Sequence, residues 1–172
     1  NVNDEHGLNI GLRHITLSTC GIVPNIIRLA DEDMPITLTI SLHGPNDEIR
    51  ESIMPINRKY KIAELMDACK YYYDKTGRRI SFEYSLIKGV NDSIKNAEEL
   101  ARLVKPLHAH VNLIPVNNVE ERDFKQGTKA EINGFLNRLT DLGINATIRR
   151  ELGSDISASC GQLRKKTANI TE

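Results

Sequence analysis

Stretches of strand character and stretches of helix character follow one another along this chain at the spacing of βαβ units, and that alternation limits its fold more than any other feature. Residues 14–19 and 36–43 are apolar and β-branched enough to form strands, with a short helix between them opened by Pro24 and running to Asp31. A turn at Gly44-Pro45-Asn46-Asp47 leads to a short helix over 46–53, limited by Pro55. Ile62, Leu65, Met66, Cys69, Tyr72 and Tyr73 recur at three- and four-residue steps, which predicts a helix over 61–75 stopped by Gly77. Residues 80–87 form a third strand, and Gly89 to Ser93 a turn and helix cap. The following helix puts Ile94, Ala97, Ala101 and Val104 on its apolar side. Residues 110–116 are a fourth strand and 117–128 a polar loop. A helix carrying Ile132, Phe135, Leu136, Leu139 and Leu142 ends at Gly143, before a fifth strand over 144–152.

Successive strand–helix–strand units imply right-handed crossovers and a parallel sheet. A doubly wound sheet and a barrel both satisfy the pattern. No GxGxxG turn follows a strand, which weakens a dinucleotide-binding reading. The expected fold is therefore α/β, a partial (β/α) barrel truncated on its N-terminal side, with sites at the C-terminal strand ends. Residues 1–152 belong to that barrel, and 153–172 form a small, polar tail around Cys160.

Composition narrows the partners. No apolar run approaches the ~20 residues needed to span a bilayer. The formal net charge is zero, so this segment is not the principal surface gripping a nucleic acid through its phosphates. Position 1 is Asn rather than Met, consistent with a processed or excised piece. The three cysteines, Cys20, Cys69 and Cys160, are widely separated and show no metal-ligand spacing. With no export signal, they point to a reduced, cytoplasmic setting and to no metal site within the segment.

Polar residues gather where apolar strands end, at Leu17-Ser18-Thr19, at Ser41-Leu42-His43 and at Pro115-Val116-Asn117. On parallel strands these ends meet at one rim, where hydroxyl and amide groups suit a nucleoside. The same residues also cap strands and start loops, and a lone strand-end histidine is commonly structural. Asp33, Glu48, Glu51 and Glu83 form no recognisable catalytic pair. Arg149-Arg150-Glu151 and Arg164-Lys165-Lys166 have the composition of a solvated face. Of Tyr71-Tyr72-Tyr73, one is expected in the core and one in solvent. Cys69 lies on an apolar helical stripe and is core, while Cys20 ends a strand and is core or rim. Cys160, among small residues in Ser157-Ala158-Ser159-Cys160-Gly161-Gln162, has the setting of an accessible, nucleophilic thiol. Composition alone leaves that role and a passive one equally open.

Seven pieces in order resemble one family: Ile15-Thr16-Leu17-Ser18-Thr19, Ile40-Ser41-Leu42-His43, Pro45-Asn46-Asp47-Glu48-Ile49-Arg50, Met54-Pro55-Ile56-Asn57, Gly89-Val90-Asn91-Asp92, Asn112-Leu113-Ile114-Pro115-Val116-Asn117 and Cys160-Gly161-Gln162-Leu163. They are similar to the dual-specificity rRNA and tRNA adenine-C2 methyltransferases of the RlmN type, which are radical S-adenosylmethionine (SAM) enzymes. The resemblance implies SAM and a [4Fe–4S] cluster as cofactors, 23S rRNA and tRNA as substrates, and a flavodoxin-type electron donor. It places SAM at Ser18, at Ser41, Leu42 and His43, and at Asn117. It makes Cys160 the residue that takes a methyl group from one SAM. A second SAM would yield the 5′-deoxyadenosyl radical that moves the carbon to adenine C2. The CxxxCxxC cluster loop, a GMGEP stretch and a second catalytic cysteine are absent from this sequence. The segment is accordingly expected to be inactive by itself. Two alternatives remain at this level: a C8-adenosine rRNA methyltransferase of the antibiotic-resistance type, and a non-catalytic nucleotide-binding α/β module.

Overall fold

The computed structural model describes residues 2–32, 34–116 and 124–149. Five strands, β1 (Thr16–Thr19), β2 (Thr37–Ser41), β3 (Ile80–Leu86), β4 (His110–Pro115) and β5 (Asn145–Ile148), form one sheet in the order β1-β2-β3-β4-β5. Every neighbouring pair is parallel. This order settles the choice the sequence left open. A doubly wound sheet reverses direction at a switch point, whereas strands laid down strictly in sequence with right-handed crossovers curl toward a barrel with all helices outside.

The helices are α1 (Val23–Asp31), α2 (Asp47–Ile53), α3 (Ile62–Thr76), α4 (Ile94–Val104) and α5 (Lys129–Asp141). The apolar stripes of α1, α3, α4 and α5 pack on one face of the sheet in a single core. That face is built from alternate strand residues: Leu38 and Ile40, then Ile80, Phe82, Tyr84 and Leu86, then Val111 and Leu113, all buried. The ring of Tyr84 stacks on Phe135 with centroids 5.5 Å apart, fixing α5 over β3. Full burial of each such side chain contributes roughly 1.5–3 kcal/mol. Leu17 points to the same face but is 40% exposed, because β1 is an edge where helix cover runs out.

Helix ends follow local chemistry. Gly77 adopts φ +62° and closes α3 in the left-handed conformation a side chain would oppose. Ser93 and Asn96 form a reciprocal capping box at the start of α4. Ser93→Ala should lower stability by about 1 kcal/mol, read as a reduced urea midpoint at unchanged slope.

Some expectations need amendment. Ile94, assigned to the apolar side of its helix, is 50% exposed; it is the first residue after the cap, and Leu100 takes the buried position instead. Tyr72 is core as expected, but neither Tyr71 nor Tyr73 is released to solvent: both pack partly against the core, and the Tyr71 hydroxyl donates to Asp31 at 2.7 Å. Cys69 is fully buried. The fifth strand is seen over Asn145–Ile148, and residues 150–152 and the 153–172 tail lie outside the described residues. No helix among the described residues is long and apolar enough to cross a membrane.

Candidate functional site

The second face of the sheet has the opposite character. Pairing places Ser18, Thr39, Ser81, His110 and Asn145 in one row, and Ser41, Glu83, Asn112 and Thr147 in the next toward the strand C-termini. Period-two alternation puts these side chains away from the helices. Apart from Ile114 beside Ser85, the described strand residues facing this way are polar. A parallel sheet covered on both faces would read as continuous apolar runs. This one has a polar concave side, which is the inner wall of a partial barrel.

A buried knot shapes the rim above it. Asn46 caps α2 by accepting the Ile49 N–H at 3.0 Å, and its amide donates to Glu99 at 2.7 Å. Arg50 is completely buried; its guanidinium donates to Asn57 Oδ1 at 2.9 Å and to the Cys20 carbonyl at 2.7 Å, while its Nε has no partner. Burial pushes the Arg50 pKa down, opposed by the nearby Cys20 and Asp47 groups. Asp47 Oδ1 accepts from Asn57 and from the Ile62 N–H, each at 2.9 Å. Partial burial would raise the Asp47 pKa, but these hydrogen bonds and the charges of Lys61 and Arg50 hold it below the usual carboxylate range. The knot ties the loop after β1 to the loop after β2. Gly44 lets the chain pass: a Cβ there would fall 2.6 Å from Arg50 N and Cα.

The end of β3 is stitched to the same rim by Asn91. Its buried amide donates to the carbonyls of His43 (2.8 Å) and Ser85 (2.7 Å) and accepts the Ile87 N–H (2.8 Å). Gly89 turns at φ +73°, with its N–H on the Asp92 carboxylate. The pieces Pro45 to Arg50, Met54 to Asn57 and Gly89 to Asp92 thus serve as a frame.

Of the expected binding residues, Ser18 and Ser41 share the polar face, one row apart. Leu42 does not join them: its side chain is in the core, so any ligand contact there is through main chain. His43 stands at the rim with φ +56°, and its Nδ1 accepts the Ser85 N–H at 3.1 Å. That bond leaves Nε2 to carry the ring hydrogen. Burial, then the charge of Arg50, pulls the His43 pKa down to about 4. A neutral His43 favours the fold above its unfolded pKa of 6.5, and the contribution is lost as pH falls from 6.5 toward 4. Its size is roughly 3 kcal/mol as an upper bound. Denaturation of the wild type should therefore lose more stability between pH 7 and pH 4.5 than His43→Asn, which tolerates the left-handed backbone but does not titrate. Equal losses would contradict this. Asn117 and Cys160 lie outside the described residues.

Sequence reasoning set aside Glu83 and Arg149. Glu83 lies centrally on the polar face, with Oε2 accepting the Ser41 hydroxyl at 3.1 Å and Oε1 3.9 Å from Arg149 Nη1. The signal that could have found it is the strict alternation in 80–86, where every second residue is polar.

Comparison with known proteins follows the same lines. The profile described as "Radical SAM superfamily" matches residues 3–104, more than half of the sequence. The chain belongs to the radical SAM superfamily. Within it, the chain is 60% identical over 164 residues to a protein of Clostridium perfringens (strain SM101) named "Probable dual-specificity RNA methyltransferase RlmN", covering 95% of this chain and 47% of that relative. It is 61% identical over 165 residues to a protein of the same name from Alkaliphilus oremlandii, with 96% and 48% covered. The crystal structure of a radical SAM methyltransferase from Sphaerobacter thermophilus superimposes with TM-score 0.89 at 52% identity, over 94% of this chain and 47% of that one. The chain spans about half the length of the relatives it matches.

The superfamily implies SAM and an iron–sulfur cluster, and the described residues suit them differently. No group of three or more His, Cys, Asp or Glu side chains among them could hold a metal ion, so the cluster does not fit here. An adenosyl ligand suits them better: the inner wall offers hydroxyl, amide and carboxylate groups at Ser18, Ser41, Asn112 and Glu83.

Proposed function

We propose that this chain supplies the SAM-binding rim and the methyl-carrying cysteine of an enzyme that methylates C2 of adenosine in 23S rRNA and in tRNA. The observation that supports this most is the 60% identity to RlmN-named relatives, which runs through nearly the whole chain. The polar inner wall adds a surface of matching chemistry.

In this reading Ser18, Ser41, the main chain at Leu42, His43 and Asn117 hold SAM. Ser18 and Ser41 offer hydroxyls, and His43 offers an Nε2–H because Nδ1 is engaged. SAM supplies an electrophilic methyl on a sulfonium. The Cys160 thiolate would attack that carbon, a sulfur–carbon bond forming as the sulfonium bond breaks and S-adenosylhomocysteine leaving with the electron pair. A thiolate is soft and nucleophilic enough for this, whereas adenine C2 is electron-poor and is not methylated by simple displacement. Onward transfer to the base uses groups that the described residues do not supply, and by itself the segment is inactive in this proposal. The RNA is 23S rRNA or tRNA, the reductant a flavodoxin-type protein, and the setting the cytoplasm.

Peptide mass spectrometry of the protein purified from cells tests the role of Cys160. The expected result is a methyl group on the peptide holding Cys160. Its absence, with methylated RNA in the same cells, would count against the carrier role.

A further inference from the structure

Glu83 is the single carboxylate among the described strand residues of the polar face, and it is under-satisfied. A carboxylate accepts about four hydrogen bonds. Among the described residues Glu83 takes one, from Ser41 at 3.1 Å, and its side chain is 21% exposed. Among the described residues the nearest cation, Arg149, stands 3.9 Å away, close enough to balance the charge but beyond hydrogen-bond length. A half-buried carboxylate this poorly bonded on a polar wall is costly unless donors from a ligand complete it.

The Ser41 bond also has a direction. A carboxylate only accepts, so the Ser41 hydroxyl hydrogen is committed to Glu83 and only its lone pairs face outward. Ser41 and Glu83 together form a patch that accepts and does not donate. Because Arg149 already answers the negative charge, the patch calls for neutral O–H or N–H donors rather than for an ammonium. A nucleoside carries such donors on its ribose and its exocyclic amine.

Resting on the SAM-binding reading above, we propose that Glu83 is a ligand-binding residue: with Ser41 it receives the neutral hydrogen-bond donors of the nucleoside part of SAM, and it holds Ser41 as an acceptor. Glu83→Gln keeps the shape, removes the charge and places an N–H donor in the patch.

The test is calorimetric titration of the polypeptide as cells make it, using SAM and 5′-methylthioadenosine, which keeps the nucleoside and lacks the ammonium and carboxylate. Glu83→Gln should weaken both ligands about tenfold or more, as expected for a charge-assisted hydrogen bond. Arg149→Gln should change either affinity by less than about threefold, since the acceptor patch survives. Equal losses in the two variants would mean that the Glu83–Arg149 pair is only structural, and would overturn the proposal. So would a loss confined to SAM, which would assign Glu83 to the ammonium, and so would unchanged binding in Glu83→Gln. Should Glu83→Gln fail to fold, Ser41→Ala gives the same comparison, with both ligands expected to weaken in parallel and a loss for SAM alone overturning it. A wild type that binds neither ligand would remove the SAM-binding reading itself. Binding of both by the wild type with no effect of Glu83→Gln would remove only this inference.

Discussion

Under the proposed function, Cys160→Ala should abolish methyl transfer to RNA while leaving SAM binding intact. The expected drop is more than ~10³-fold, because in that proposal the substitution deletes the nucleophile rather than a supporting contact. Cys69 cannot take over its role. Cys69 is fully buried in α3, and burial pushes its thiol pKa up to about 12, so it stays protonated and out of reach. Cys20 follows β1 at the rim with its carbonyl held by Arg50, in a short segment tied down by the knot. Incorporation of label from methyl-labelled SAM into RNA, run beside a SAM-binding measurement on the same protein, separates the two functions. Residual methylation above about one part in a hundred would contradict the carrier role, and loss of SAM binding would show that Cys160 acts through structure.

Arg50→Met should lower stability by about 3 kcal/mol, the largest effect expected of a residue that touches no ligand. Methionine fills a similar volume, so the loss comes from polar partners rather than from a cavity. The substitution orphans the buried Asn57 Oδ1 and the part-buried Cys20 carbonyl, at about 1–3 kcal/mol each. Part is returned, because the partnerless Nε and the desolvated charge also disappear. For a chain of this size the thermal midpoint should fall by about 6–12 °C. SAM affinity should fall with it, since the loop after β1 carries the main chain next to Ser18. A variant melting within about 2 °C of the wild type would show that the charge and its partners cancel, and that the knot does not hold the rim.

The strands, the helices and their order were legible because their apolar periods are long and their stops are glycines and capping residues, as at Gly77 and Ser93. The choice of a barrel over a doubly wound sheet was an inference from a missing motif. Only strand pairing made it an observation, because strand order depends on long-range contacts that no local period encodes. The rim was legible in part. Ser18 and Ser41 were found from strand ends, but Leu42 was grouped with its neighbours although strand alternation turns it inward to the core. A strand-end histidine such as His43 fits a structural role, and its bond to Ser85, between residues 42 positions apart, needs the fold to be seen. The role of Arg50 is not legible in its motif, since burial of a charged helix residue depends on groups such as Cys20 and Asn57 from other segments. Glu83 is not legible in a search for catalytic pairs along the sequence, because its partner Ser41 ends another strand and Arg149 follows a third.

The central claim, that this chain belongs to an enzyme placing a methyl on adenine C2, is tested most directly by nucleoside mass spectrometry. Ribosomal and transfer RNA would be compared from cells with and without the encoding gene. The account predicts that 2-methyladenosine disappears from both RNAs on deletion and returns with the wild-type gene but not with Cys160→Ala. Unchanged 2-methyladenosine would contradict it, and loss of 8-methyladenosine instead would move the chemistry to the other carbon of the base.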